Sequence, residues 1–243
     1  MSQLTYQKSQ IVTLLQHRFV ILLIVLLLLF IIAPLTGLLT SFLSTRVLNS
    51  IMSCAFAAIM LSIIYAATKT KRSVLIAVFL FAGASILQIL YITLGNDVYL
   101  IGNHFFTLIF IGYAVVKILG LIFTNKKVTI DTICASICAY VLIALFWALM
   151  YSINEIIYPG SFAISGVVTG PGHQLRFYSG QNVMPIYYSI VTLSTLGYGD
   201  IIPYTNASRM LAAVEALFGQ FYIAVLVARL VGIHIADAAN SRA

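Results

Sequence analysis

Six long apolar runs set the rhythm of the chain, at residues 19–40, 51–68, 74–94, 98–123, 132–153 and 208–233. Each is close to the roughly 20 residues that a helix needs to cross the hydrocarbon core of a bilayer. The pattern predicts six transmembrane helices. The first run is too long for a removable signal peptide and lacks a small-residue cleavage site, so it reads as a span. Pro34 lies inside it and is placed to kink it or end it early. Polar connections between the first four runs are short, at 41–50, 69–73 (KTKRS) and 95–97 (GND). These four helices are expected to form a compact peripheral bundle over 1–128, ending in the inner linker TNKKVTID at 124–131. A second domain, 129–243, holds the last two runs.

The gap between the fifth and sixth runs breaks the rhythm, because it is 54 residues long, 154–207. Its first part, 154–183, holds five glycines and two prolines and reads as an exposed outer loop, turning at Gly170-Pro171-Gly172. The next stretch, 184–195 (MPIYYSIVTLST), is apolar and carries Pro185 where a helix's first turn favours it. Twelve residues of helix rise only ~18 Å, too little to span. A short apolar helix that enters the membrane without crossing is re-entrant. Irregular backbone at that depth is tolerated only where it is buried in protein or lines a water-filled path.

Composition agrees with the pattern. The chain is 62% hydrophobic and 8% charged, against about 25% charged residues in a soluble domain. Its net charge of +7 would fit a nucleic-acid partner, but the placement of the charges argues against one. With the N-terminus inside, nine cations fall on inner flanks: Lys8, Arg18, Lys69, Lys71, Arg72, Lys126, Lys127, Arg229 and Arg242. Three fall outside, Arg46, Arg176 and Arg209, and Lys117 lies within a span. This is the positive-inside pattern. It puts both termini in the cytoplasm, and the inner (plasma) membrane is the expected location. Cys54, Cys134 and Cys138 lie in spans and read as structural. His17, His104, His173 and His234 are scattered, without metal-ligand spacing.

The polar stretch TLSTLGYGDIIP, 192–203, follows the short helix. If Thr195, Leu196, Gly197, Tyr198 and Gly199 are extended with all carbonyls on one side, alternate residues must leave the ordinary regions, which glycine does cheaply. The five carbonyls, with the Thr195 hydroxyl, would form a ladder of oxygen ligands. One chain supplies too few oxygens per level to replace an ion's hydration shell, so a homotetramer is implied. The C-terminal end of the short helix carries partial negative charge, which favours a cation at the axis. Leu196 and Tyr198 are expected to turn away from the axis, pack on the short helix and set the width of the path.

TLGYGD closely resembles the potassium-channel filter signature, whose common form is TVGYG. The likeness extends to Tyr187-Tyr188-Ser189, to Asp200 after the second glycine, and to Pro203, Thr205 and Arg209. Gly219 stands at the position of the inner-helix hinge glycine, and ALFGQFYIAVLVARLVG looks like a prokaryotic inner helix. The resemblance is to six-span channels of the voltage-gated-like superfamily and covers the last two spans and their loop. It implies an all-α membrane protein with six transmembrane helices, and a re-entrant pore helix and filter loop before the last. Its pore domain would consist of an outer helix 132–153, loop 154–183, pore helix 184–195, filter 195–200 and inner helix 208–233. It implies K+ at Thr195, Leu196, Gly197, Tyr198 and Gly199, with filter support from Tyr187, Tyr188, Thr192, Ser194, Asp200 and Glu215. Val191 departs from those bacterial channels that carry a pore-helix glutamate there; a bond from Tyr187 to Asp200 is expected in its place.

A voltage sensor needs regularly spaced arginines on the fourth span. The run DVYLIGNHFFTLIFIGYAVVKILGLIF has none, only His104 and Lys117. Each charge crossing the field is worth about 2.3 kcal/mol per 100 mV, so weak or no intrinsic voltage sensing is expected. Lys117 reads as snorkelling to the inner surface, and His104 as hydrogen-bonded inside the bundle. Glu215 is expected to bond hydroxyls behind the filter, such as Thr192 or Ser194. Gly219 reads as a gating hinge or a close-packing site against the fifth span, and Trp147 and Tyr151 as interfacial anchors. The expected function is passive, potassium-selective conduction. No enzymatic reaction, no cofactor beyond the permeant ion and no cytoplasmic ligand-binding domain are expected; homotetramer partners and lipid are. A non-conducting or regulatory subunit is the alternative. A transporter is disfavoured by the lack of repeated halves.

Overall fold

The computed structural model describes residues 18–38, 45–68, 70–124, 129–164, 177 and 183–240. Its helices are α1 (Arg18–Leu38), α2 (Thr45–Ala67), α3 (Lys71–Leu94), α4 (Asp97–Thr124), α5 (Ile130–Ile157), α6 (Met184–Leu193) and α7 (Asn206–Asn240). Two short strands complete the list, β1 (Phe162–Ile164) and β2 (Ile201–Pro203). The expected turn at Gly170-Pro171-Gly172 lies outside the described residues. So do Lys8, His17, Lys69, Lys126, Lys127, His173, Arg176 and Arg242.

Helix starts follow local chemistry. The four leading N–H groups of a helix lack partners inside it, and short polar side chains just before the helix supply them. Thr70 Oγ1 accepts from Ser73 N (3.3 Å), Thr129 Oγ1 from Thr132 N (3.2 Å) and Thr205 Oγ1 from Ser208 N (3.2 Å). Asn96 Oδ1 accepts from Val98 N at 2.9 Å. These bonds begin α3, α5, α7 and α4. At α1 the backbone N–H of Phe19 instead donates to Asp131 Oδ1 at 3.1 Å. The helix then runs past Pro34 to Leu38, so the proline does not end it early.

By length and composition α3, α4, α5 and the Asn206–Ile233 part of α7 are able to cross a membrane. In α1 and α2 the apolar stretches Arg18–Ile32 and Ile51–Ala67 are shorter. Helices α5 and α7 outrun the expected 132–153 and 208–233 at both ends, and their N-terminal caps, Thr129 and Thr205, lie outside the apolar runs. The all-helical expectation is incomplete: β1 and β2 form an antiparallel ribbon pairing Phe162 with Pro203 and Ile164 with Ile201.

The chain divides into two compact units. One comprises Met1–Val74, Val116–Ala139 and Leu230–Ala243. Here α1 packs on α2, burying Leu22, Leu26 and Leu29, while Ile24, Leu28 and Ile31 on its other faces stay exposed. A helix apolar all round belongs in a membrane or a large core. Phe19 is held at both ends, since Cys138 Sγ donates to its carbonyl at 3.5 Å. The other unit comprises Leu75–Val115 and Tyr140–Arg229. In it Asn103 Nδ2 of α4 donates to the Ala84 carbonyl of α3 at 2.8 Å. His104 is buried and hydrogen-bonded to the Leu100 backbone. Lys117 is exposed.

Candidate functional site

The candidate site is the segment from Ser194 to Asp200, between the end of α6 and β2. Three faces build its frame. On α5, Tyr140, Ala144, Trp147 and Tyr151 recur at helical spacing and form one stripe. On α6, Ser189 and Leu193 stand four apart, and on α7 Glu215 and Gly219 do the same.

The stripes meet in two rungs. In the upper rung the Tyr151 hydroxyl donates to Glu215 Oε2, and Ser189 Oγ is hydrogen-bonded to Glu215 Oε1. Ser189 Oγ also lies 2.7 Å from the Ala144 carbonyl oxygen. In the lower rung the Tyr140 hydroxyl donates to the Leu193 carbonyl at 3.1 Å. Gly219 sits against that same carbonyl, and a Cβ added there would lie 2.0 Å from the oxygen. Glu215 thus bonds Ser189 and Tyr151 rather than Thr192 or Ser194. Gly219 packs closest to the Leu193 backbone of α6, where the fifth span was the expected neighbour. Among the expected support residues, Tyr188 hydrogen-bonds Thr192 and Ser194 Oγ donates to the Val191 carbonyl at 3.3 Å.

An aromatic cluster covers the frame. Phe162 of β1 stacks on Phe177 with centroids 4.1 Å apart, and Tyr188 meets Tyr151 edge-on at 5.0 Å. Trp147 lies 6.0 Å from Phe218 of α7. Trp147 and Tyr151 are therefore core residues, 7% and 0% exposed, and not interfacial anchors. The ribbon ties this cluster to the segment after Asp200. Tyr204 N donates to the Ser161 carbonyl at 2.8 Å, and Ser208 Oγ donates to the same oxygen at 2.9 Å.

The segment itself has alternating hand. Thr195, Gly197 and Gly199 have φ of 58°, 58° and 76°. Among the described residues Leu196 and Tyr198 are not in that region. Thr195 pays the steric penalty of a left-handed L-residue, about 1–2 kcal/mol; it also ends α6 at Leu193, two residues short of the expected 195. Leu196 N and Gly197 N both donate to the Val191 carbonyl, at 2.9 and 3.4 Å. In a trans peptide the N–H and the preceding C=O point opposite ways. The Thr195 and Leu196 carbonyls therefore point together, away from α6, which an ordinary strand does not allow. Asp200 closes the segment: it accepts the Tyr187 hydroxyl at 2.7 Å and its own neighbour Ile201 N at 3.1 Å. The Tyr187–Asp200 bond is the one expected from sequence. Leu196 and Tyr198 are 55% and 67% exposed within the chain.

Residues 180–234, which include α6, this segment, β2 and most of α7, match the family described as Ion channel. Short stretches resemble curated proteins. "Two-pore potassium channel 1" of Arabidopsis thaliana is 41% identical over 44 residues, 18% of this chain and 12% of the relative. "Two-pore potassium channel 5" of the same plant is 40% identical over 58 residues, 22% of this chain and 14% of the relative. A Rhodopseudomonas palustris protein whose name carries the words potassium channel is 45% identical over 40 residues, 16% of this chain and 10% of the relative. The chain thus spans only 10 to 14% of the length of these relatives. No solved structure matches. The ion-channel match and the four apolar helices together point to a membrane protein.

Proposed function

We propose that this chain conducts potassium ions passively across a membrane, as one of four identical subunits around a shared axis. The observation that carries the reading is the alternating hand of residues 195–199, with the Thr195 and Leu196 carbonyls turned together away from α6. Aligned carbonyls replace the water shell of a dehydrating cation, and four chains are needed to surround it. Thr195, Leu196, Gly197, Tyr198 and Gly199 line the path. Helix α6 is a re-entrant pore helix whose C-terminal end adds partial negative charge. Tyr187 and Asp200 brace the outer end. The relatives named as potassium channels support the choice of ion. The chain crosses the membrane six times with both termini inside, in the inner (plasma) membrane. Its domains are a four-helix bundle, 1–128, and a pore domain, 129–243. With no arginine on α4, conduction depends weakly or not at all on voltage.

The test is ion flux into liposomes that hold the purified protein. Potassium uptake that exceeds sodium uptake and is blocked by barium is expected, with Gly199→Ala abolishing it. Equal uptake of the two ions in the unaltered protein sinks the selectivity claim.

A further inference from the structure

Ser189 has one hydroxyl hydrogen and two acceptors in reach. The Ala144 carbonyl oxygen is 2.7 Å away, and Glu215 Oε1 is on its other side. If Ser189 donates to a Glu215 carboxylate, the Ala144 contact joins two oxygens with no hydrogen between them. If Ser189 donates to Ala144, the hydrogen on the Glu215 side must come from the carboxyl group itself. A neutral acid satisfies all three contacts. Its own O–H donates from Oε1 to Ser189, Ser189 donates to Ala144, and Tyr151 donates to Oε2. The surroundings agree. Glu215 is 0% exposed, and its hydrogen-bond partners are the hydroxyls of Ser189 and Tyr151. An unpaired carboxylate in such a place is costly.

We propose that Glu215 is a neutral acid that donates to Ser189 and so acts as the positioning residue for α6. This rests on the conduction reading above. The mechanical argument follows the two rungs. Glu215 fixes α6 at Ser189, and Gly219, one turn further along α7, fixes it at Leu193. Between them lies Val191, whose carbonyl holds Leu196 N and Gly197 N and thereby sets the direction of the carbonyls lining the path. Losing the upper rung frees α6 to tilt about the lower one and carries Val191 with it.

Glu215→Gln separates this from a carboxylate role. Its amide NH2 takes the place of the acid O–H toward Ser189, and its carbonyl still accepts from Tyr151. Glu215→Ala removes both bonds. Reconstituted Glu215→Gln is expected to keep the potassium-over-sodium flux ratio of the unaltered protein. Glu215→Ala is expected to lower that ratio about tenfold, which corresponds to about 1.4 kcal/mol of discrimination between the two ions. A Gln variant that loses selectivity as fully as the Ala variant overturns the proposal, as does an Ala variant that keeps it. Infrared spectroscopy gives a readout that needs neither flux nor the Ala variant. Glu155 and Glu215 are the two glutamates of the chain, so carbon-13 glutamate labelling isolates them. The unaltered-minus-Gln difference spectrum at neutral pH is expected to show a protonated carboxyl band, and a carboxylate pair in its place overturns the proposal. If the unaltered protein shows no selective flux, it is the conduction reading that fails, and the infrared band still decides the state of Glu215.

Discussion

At Gly219 a carbonyl leaves no room for a side chain. A Cβ there would lie 2.0 Å from the Leu193 oxygen and 2.9 Å from its carbon, both backbone atoms that cannot swing aside. Gly219→Ala therefore sets two effects against each other. Alanine in a helix is favoured over glycine by about 1 kcal/mol, whereas forcing a methyl into a packed contact costs about 1–3 kcal/mol. Contact with rigid backbone places the cost at the upper end, so net destabilisation is expected, with a fall of a few degrees in the unfolding temperature in detergent. A pure hinge predicts the reverse, a stabilised helix with altered opening, and a rise in melting temperature would favour it. The residues of this site differ in how far sequence reveals them. Tyr187 and Asp200 stand 13 residues apart on the two flanks of the segment, and their bond was legible through the resemblance, as the substitute for the acid that Val191 replaces. Glu215 is readable as a buried carboxyl, but its partners are not. Depth along α7 says which turn it occupies, while the choice of Ser189 over Thr192 depends on the rotation of α6, which no local pattern encodes.

Among the elements, the long helices were legible because a membrane demands about 20 apolar residues in a row, whereas their starts, set by the caps Thr70, Asn96, Thr129 and Thr205, lay outside the apolar runs and were not read from them. Helix α6 was legible from Pro185 and from its length. The ribbon was not. FAI and IIP are three-residue strands far apart in the chain, and one contains a proline, which argues against a strand by itself. Trp147 and Tyr151 were misread for a related reason: aromatic residues suit both a membrane interface and an aromatic core, and only the contacts with Phe218, Phe162 and Tyr188 decide. The start of α7 joins these elements. Thr205 caps the helix through Ser208 N, and Ser208 Oγ reaches the Ser161 carbonyl beside β1. Thr205→Ala is expected to cost about 1 kcal/mol, as cap removal usually does. A thermal melt checks the loss. Faster hydrogen exchange at Tyr204 N, which donates to the same Ser161 carbonyl, reports whether the ribbon loosens with the cap.

For the whole molecule, apolar exposure alone decides little, because a helix facing lipid is as apolar as one facing a partner. Phe221 and Met210 of α7 are each 65% exposed, and so is much of α3. The backbone of the site is more informative. Residues 194–199 are exposed in the single chain, and the Thr195 and Leu196 carbonyls point away from the helix that would otherwise cover them. Exposed irregular backbone is not tolerated against lipid, since each unsatisfied group costs several kcal/mol there. These carbonyls must meet water, an ion or other protein. Leu196 and Tyr198 are more than half exposed within the chain and gain from a neighbour as well. A ring of four copies would meet both needs at once, with the carbonyls on a shared axis and the two side chains on the adjacent subunit. Native mass spectrometry from detergent is expected to show a species of four chains. Cysteines placed at Tyr198 and on α6 are expected to cross-link between subunits rather than within one. A monomer at concentrations that support flux would leave the carbonyls without a shared axis, and the fourfold reading would not survive it.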